Sequence, residues 1–228
     1  YNCTSLETID LSGTQVTNID RYAFSSCSNL TSIDLGNSVT SIGSFVFREC
    51  TSLTSITIPD SVTSIGSDFV SKCSSLSSIT VDANNNSFSD ISGVLFNKDK
   101  STLIQYPIGK TATSYKIPHS VTTIGQYAFY NCTSLETIDL SGTQVETIGD
   151  SAFFECLSLT SIDLGNSVTT IGQNAFYLCS SLTSIDLPNS VTTIGSSAFQ
   201  NCTSLTSITV HANNNSFSDI NGVLFNKN

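Results

Sequence analysis

The eight cysteines recur at fixed intervals and reveal an internal repeat. They occupy positions 3, 27, 50 and 73, and then 132, 156, 179 and 202. The steps within each set are 24, 23 and 23 residues, and the second set lies 129 residues after the first. A period of this length is typical of solenoids, in which no single unit can bury its apolar side chains alone. The sequence therefore predicts a stack of units within which a long block is duplicated in tandem.

Each unit of about 23 residues carries the same succession of local patterns. In the unit 179–201, Ser184–Leu187 alternates polar and apolar residues, which predicts a strand with one buried face. Val191–Ile194 is rich in β-branched residues and predicts a second, outer strand. The segment 196–201 is expected to form a single helical turn that points Ala198 and Phe199 inward. Nine such units are expected, opening at Leu6, Leu30, Leu53, Leu76, Ala112, Leu135, Leu159, Leu182 and Leu205.

One interval is longer than the others. From Leu76 to Ala112 the step is 36 residues, and two apolar runs at 93–96 and 103–107 flank the polar segment 97–100. This arrangement predicts a β-hairpin insertion. We expect a single solenoid over residues 1–228, composed of a first repeat block (1–81), the insertion (82–111), a second block (112–210) and the start of a second insertion (211–228).

The repeating pattern Leu-x-x-Ile-x-Leu-Pro-x-Ser-Val-Thr-x-Ile-Gly-x-x-Ala-Phe-x-x-Cys resembles the BspA-like leucine-rich repeats over the whole chain, as does the insertion Gly93-Val94-Leu95-Phe96-Asn97-Lys98. The resemblance implies a right-handed coil with an inner β-sheet, short outer strands and single helical turns. It also implies a surface-exposed or secreted microbial protein. The partners it implies are host extracellular-matrix or cell-surface proteins or glycans, or other microbes. The family has no catalytic motif that could be transferred to this chain.

Composition excludes several classes of function. A net charge of −10 with only eight Lys and Arg argues against a nucleic-acid partner. No apolar run approaches the roughly 20 residues of a membrane span, so direct membrane insertion is not expected. Two histidines offer no nucleophile–base pair, and no phosphate-binding loop or metal-ligand spacing is present. The sequence therefore predicts a protein that is not an enzyme and that has no metal or cofactor.

The inner strand should present two rows of polar side chains to solvent, because its apolar residues face the core. One row is rich in Ser and Thr and the other in Asp, with Lys116 as the one cation. A solvated face that keeps the sheet soluble and a binding surface for a basic or hydroxyl-rich partner are both consistent with this pattern. A bridging divalent cation is a weaker alternative, because calcium needs six or more oxygen ligands. The two rows are Thr8, Ser32, Ser55, Ser78, Ser114, Thr137, Ser161, Ser184 and Ser207, and Asp10, Asp34, Thr57, Thr80, Lys116, Asp139, Asp163, Asp186 and Thr209.

The cysteines and the glycosylation motifs each leave two interpretations open. Stacked cysteines about 5 Å apart lie within disulfide reach, but in-register side chains are parallel, which favours buried free thiols as small apolar fillers. Asn-x-Ser/Thr motifs arise readily in a chain rich in these residues, so most are expected to be turn residues. In a secreted eukaryotic protein, Asn85 and Asn214 would be the glycan acceptors, because both lie in insertion loops expected to be exposed.

The function predicted from these observations is non-catalytic adhesion or binding by the Ser/Thr/Asp-rich inner face, at the cell surface or after secretion. Two alternatives remain: a passive stalk that displays another domain, and an intracellular scaffold in a reducing compartment. Because both ends fall within a repeat, exposed apolar edges and end-to-end self-association are also expected.

Overall fold

The repeating sequence folds into successive coils of short parallel strands, so the predicted solenoid is confirmed. The computed structural model describes residues 1–227 and comprises two compact units, Tyr1–Lys110 and Thr111–Asn228. The first unit contains four coils and the second contains five, in agreement with the nine expected. Within residues 1–227, the structure contains no helix able to cross a membrane.

Each coil of the first unit contributes one inner strand: β1 (Thr8–Asp10), β3 (Ser32–Asp34), β5 (Ser55–Ile58) and β7 (Ser78–Val81). β1 pairs with β3, and β5 pairs with β7, in parallel and in register. Equivalent repeat positions therefore stand side by side, and each apolar residue meets its own counterpart. The isoleucines at the centre of each strand point to the core, as the alternation predicts.

The second unit repeats this arrangement with five inner strands: β11 (Ser114–Lys116), β13 (Thr137–Asp139), β15 (Ser161–Asp163), β17 (Ser184–Leu187) and β19 (Ser207–Val210). β11, β13 and β15 form one parallel sheet, and β17 and β19 form another. The interruption between β15 and β17 matches an interruption between β3 and β5 in the first unit. In both places a left-handed glycine (Gly36, φ 61°; Gly165, φ 62°) follows the earlier strand.

The outer strands are two residues long, shorter than the four-residue segment predicted. They are β2 (Asn18–Ile19), β4 (Ser41–Ile42) and β6 (Ser64–Ile65) in the first unit, and β12 (Thr123–Ile124), β14 (Thr147–Ile148), β16 (Thr170–Ile171) and β18 (Thr193–Ile194) in the second. They pair in parallel with each isoleucine beside the next. Gly195, which follows β18, packs so closely against the preceding coil that only glycine fits. A Cβ at this position would lie 2.4 Å from the backbone nitrogen of Gln173.

The expected helical turn is wrong, because this segment forms consecutive tight turns. In the coil 172–179, the backbone N–H of Ala175 donates to the carbonyl three residues earlier, and those of Asn174 and Phe176 donate to the following coil. Asn174 and Leu178 adopt left-handed conformations (φ 54° and 60°), which a right-handed helix does not tolerate. The alternation gives every second N–H a partner in the next coil, and a helix would withdraw those donors. Ala and Phe still point inward: Ala175 and Phe176 are fully buried.

Two ladders of identical side chains fill the core of the second unit. Ring centroids are separated by 4.9 Å between Phe129 and Phe153 and by 5.1 Å between Phe153 and Phe176, with nearly parallel planes. The thiols of Cys156 and Cys179 each lie 3.1 Å from a Phe carbonyl oxygen of the preceding coil, to which they donate. Burial raises the pKa of both thiols. All eight cysteines remain as thiols, and seven are buried, whereas Cys3 is exposed.

The insertion forms three antiparallel strands, β8 (Phe88–Ile91), β9 (Val94–Asn97) and β10 (Thr102–Gln105). The hairpin of β9 and β10 was predicted, and β8 was missed because its sequence, Phe-Ser-Asp-Ile, is mostly polar at its centre. The second unit ends with the equivalent pair β20 (Phe217–Ile220) and β21 (Val223–Asn226).

Asn85 and Asn214 tie these insertions to the coils, and the expectation that they lie exposed is wrong. Both side chains are fully buried. The Asn85 amide nitrogen donates to the carbonyls of Pro59 (2.7 Å) and Val62 (3.0 Å), and its oxygen accepts from the N–H groups of Ser87 and Phe88. Asn214 makes the equivalent four bonds. An amide nitrogen used in this way is not accessible as a glycan acceptor in the folded chain.

Asp68 is a buried acid in the turn segment of the third coil. Only 5% of the residue is exposed, and its Oδ1 atom has no hydrogen-bond partner among the described residues. Burial raises the pKa of Asp68 to about 7, and the Ser71 hydroxyl and the charges of Arg48 and Lys72 offset only part of that rise. Below a pH of about 7 the carboxyl is therefore mainly neutral in the folded chain.

Asn85→Asp should lower the free energy of unfolding by about 3 kcal/mol or more, because it removes two donors from buried carbonyls and buries a charge. The matched control is Asn86→Asp, one residue away and exposed, which should change stability by less than about 0.5 kcal/mol. Urea denaturation followed by circular dichroism compares the two. Equal losses in both variants would show that Asn85 does not anchor the insertion.

Asp68→Asn should raise the melting temperature at about pH 8 and leave it nearly unchanged below about pH 4, where the carboxyl is protonated in both the folded and the unfolded chain. The pKa of Asp68 in the folded chain, about 7, exceeds the ordinary value of 3.8. The folded state therefore binds the proton more tightly, and the resulting stability is present in full below pH ~4 and lost as pH rises through ~7. Asp60→Asn, at an exposed position in the same coil, is the control. Parallel melting curves against pH for the Asp68→Asn variant and the wild type would contradict this account.

Candidate functional site

The structure places the two predicted polar rows on the outward side of the inner strands. In each paired sheet the register aligns them, as with Asp10 beside Asp34 and Asp139 beside Asp163. Every member of both rows is exposed or half-buried. The rows are therefore accessible surface, divided between the two units of the chain.

Most of the aspartates in this surface cap the turn that follows their own strand. One carboxylate oxygen accepts the backbone N–H two residues later: Asp10 from Ser12 (2.8 Å), Asp34 from Gly36 (2.8 Å), Asp139 from Ser141 (2.7 Å) and Asp163 from Gly165 (2.9 Å). Such bonds are the usual reason for Asp at the start of a turn. Four of the five aspartates in the row thus have a local structural role.

Asp186 is the exception. The residue two positions later is Pro188, which has no N–H to donate. The Asp186 carboxylate instead accepts a hydrogen bond from the hydroxyl of Thr209 on the neighbouring strand. Other units with proline at this point carry Thr57 and Lys116 in place of aspartate. An acid at position 186 is therefore not explained by turn capping.

A cavity of about 710 Å³ lies beside Asp186 in the second unit. It spans the interruption between β15 and β17 and extends to the end of β19. Its polar lining includes Asp163, Asp186 and His211, and its apolar lining includes Leu187 and Val210. Convergent polar groups in a concave surface are one feature of a ligand site.

Elsewhere in the second unit, Lys116 neutralises part of the acidic row. Its ammonium group lies 3.1 Å from a carboxylate oxygen of Asp139, with both side chains largely exposed. Hydrogen bonds from Ser141, followed by the contribution of Lys116, lower the pKa of Asp139 to about 2. With Asp139 paired, Asp163 and Asp186 are the acids that the second unit presents at the cavity.

Of the twelve residues that line this cavity, the sequence prediction named the four that belong to the polar rows and omitted eight. Three of those eight, Asn166, Pro188 and His211, lie shortly after an inner strand. The Nδ1 atom of His211 accepts the N–H of Asn213 at 3.2 Å, as the Asp82 carboxylate accepts from Asn84 in the first unit. The signal that could have identified Pro188 and His211 is variation: their repeat position is Ser, Gly, Pro, Asp or His in different units, whereas the strand itself hardly changes.

Within residues 1–227, no group of three or more His, Cys, Asp or Glu side chains is arranged to hold a metal ion. Among these residues the structure adds no ligands for the bridging divalent cation that the sequence analysis considered. The cavity can contact a cationic or hydroxyl-bearing group through the carboxylates of Asp163 and Asp186.

Comparison with known proteins places this geometry in a family. The model of the BspA type leucine-rich repeat region matches six copies over residues 1–114 and 108–227. The pneumococcal vaccine antigen PcpA is 32% identical, with a TM-score of 0.82 over 92% of this chain and 52% of its own. A leucine-rich cell surface protein from Faecalibacterium prausnitzii is also 32% identical, with a TM-score of 0.78 over 92% of this chain and 61% of its own.

A leucine-rich repeat protein from Eubacterium ventriosum, 21% identical with a TM-score of 0.53, shares the fold. Among curated protein sequences none matches the chain. The chain spans 52% of PcpA and 61% of the Faecalibacterium protein, so it corresponds to part of such proteins. Because the family model matches nearly every residue, the chain belongs to the BspA-type leucine-rich-repeat family.

Proposed function

We propose that the chain is a non-catalytic binding segment of a cell-surface protein and that its binding site is the cavity beside Asp186. The observation that carries the proposal is an acid that turn capping does not require, placed at a concave surface of about 710 Å³ in the second unit. The partner is a macromolecule that offers a basic or hydroxyl-bearing group, on host tissue or on another microbe. The Faecalibacterium relative is a cell surface protein, which supports the location.

Charge and shape support this choice of partner. Asp163 and Asp186 bring two carboxylates to the cavity, whose lining also includes Leu187 and Val210. A lysine or arginine side chain has a matching form, since it buries its hydrocarbon stem and keeps its charge among acids. A chain with a net charge of −10 also attracts basic partners at long range.

The test compares retention on immobilised matrix proteins and on epithelial cells for two variants with equal change in charge. The first is Asp163→Asn with Asp186→Asn, in which the amide oxygen introduced at position 163 can still cap its turn. The control is Glu136→Gln with Glu146→Gln, at exposed positions away from the cavity. We expect the first variant to lose at least about tenfold in affinity and the control to bind like the wild type.

Three other outcomes would reject this site. Equal retention of wild type and both variants would locate binding elsewhere on the chain. No retention of any of them would favour the second candidate, a stalk that spaces another domain from the cell, for which the repetitive coil architecture is itself suited. An equal loss in both variants would show a general effect of charge and not a site at the cavity.

A further inference from the structure

The turn segments of the sixth and seventh coils, residues 149–158 and 172–181, carry apolar side chains at the surface. Leu157 is 42% exposed, and Phe154, Tyr177 and Leu178 are half-buried. Backbone hydrogen bonds join both segments to the coil before and the coil after them, so this exposure does not arise at an end of the solenoid. These four residues form what we call the turn-side patch.

The fold does not require either leucine of the patch. Leu157 follows its cysteine at a position that is Ser or Thr after every other cysteine. Leu178 precedes its cysteine and has a left-handed backbone (φ 60°), which costs free energy in a residue with a bulky side chain. Asparagine, which tolerates that conformation, occupies the same position in three other units. An exposed leucine and a strained leucine in adjacent coils indicate a role other than folding.

The first repeat block has the same turns without the patch. The residues 129 positions before its four members are polar or charged: Ser25, Ser28, Arg48 and Glu49. Arg48 and Glu49 form an ion pair at 3.1 Å, and Glu49 is left-handed (φ 61°) like its counterpart Leu178. The backbone therefore forms equally well beneath a charged surface, and the apolar side chains are a property of the second block alone.

The aromatic rings of the patch present their edges to solvent. Phe154 is stacked between Tyr130 and Tyr177, with centroids 5.4 Å and 4.8 Å away and nearly parallel planes. Both faces of Phe154 are therefore covered, and its exposed part is the ring edge. A ring edge is electropositive and packs favourably against the face of another aromatic ring. A sugar ring would need an open aromatic face, which Phe154 does not offer.

Charge adds a second requirement for the partner. Glu155, next to Phe154, is half-buried, and one of its carboxylate oxygens accepts a hydrogen bond from the Asn131 amide at 2.9 Å. Between Lys116 and Lys227 the sequence holds no lysine or arginine, so the intervening residues supply no cation to this acid. A basic side chain of a partner fits it, whereas a second copy of the chain would bring another acid to the same place.

We propose that the turn-side patch is a second binding site, which takes up a segment of a partner polypeptide with an aromatic residue two positions from a lysine or arginine. The aromatic face packs on the edges of Phe154 and Tyr177, and the basic side chain pairs with Glu155. The two leucines cover the hydrocarbon around them. Residues two positions apart lie on one side of an extended segment, so both reach the surface together. The site is separate from the cavity proposed above and does not depend on it.

The probe is a synthetic peptide containing two copies of Ser-Phe-Ser-Lys, added to the isotope-labelled chain and followed by amide chemical shifts. We expect saturable changes at residues 154–158 and 177–180. Peptides with glutamate for each lysine, or leucine for each phenylalanine, should each bind at least about tenfold more weakly. Equal binding by the three peptides would overturn the proposal. Changes confined to Asp163, Asp186 and His211 would also overturn it, because the peptide would then occupy the cavity.

A variant of the chain separates binding from folding. Leu157→Ser with Leu178→Asn introduces residues that other coils carry at these positions. We expect it to bind the peptide at least about tenfold more weakly and to melt no lower than the wild type, because asparagine relieves the left-handed backbone. The control, Thr203→Ser, changes the position equivalent to Leu157 in the eighth coil and should bind like the wild type.

Two results with this variant would contradict the proposal. A lower melting temperature with unchanged peptide binding would show that the leucines serve only the fold. Sedimentation showing a dimer of the wild-type chain that the variant abolishes would show that a second copy occupies the patch.

Discussion

Hydrogen bonding between successive coils at one fixed spacing is the constraint on which the rest of the structure depends. Inner strands, outer strands and every second N–H of the turn segments all donate to the neighbouring coil. At that spacing the phenylalanine rings stack 4.9–5.5 Å apart in the second unit. The same spacing leaves no room for a Cβ at Gly195. It also brings the thiols of Cys50, Cys73, Cys156, Cys179 and Cys202 close to a carbonyl of the preceding coil. Composition follows from geometry, because a ladder position accepts only a residue that can lie beside a copy of itself.

The solenoid, its strands and its period could be predicted from the sequence because they depend on residues that recur in every unit. The turn segment could not, since its apolar Ala-Phe pair fits a helical turn equally well. Hydrogen bonds to the next coil, and residues with a left-handed backbone such as Asn174 and Leu178, determine that this segment forms turns and not a helix. These residues have no side-chain type in common that the sequence would reveal. Asn85 was misjudged for a similar reason: a polar residue in a polar loop gives no sign that four hydrogen bonds bury it.

The sequence predicted where the polar rows lie, but the hydrogen bonds give most of their aspartates a structural role that the sequence analysis did not consider. Asp10, Asp34, Asp139 and Asp163 accept the N–H two residues later, so their presence is accounted for by local structure. Asp186 precedes a proline and has no such donor. The proline two residues after Asp186 is visible in the sequence. Because proline has no N–H to donate, Asp186 could have been distinguished from the four capping aspartates by sequence alone. The cavity beside it could not be foreseen, because it depends on the interruption between β15 and β17.

Duplication within one chain separates what a sequence specifies from what its surroundings specify. The hairpins 88–97 and 217–226 share the same strands and tight turn, and an equivalent asparagine holds each one to its coils. Strand pairing and anchoring are thus intrinsic to the segment. Burial is not, since Phe96 is buried and Phe225 is exposed. In the first unit that burial depends on β10 as well, which pairs with β9 and places Leu103 opposite Phe96. A hairpin in a repeat protein is therefore specified by its own sequence in its pairing, and by the strand packed beside it in its burial.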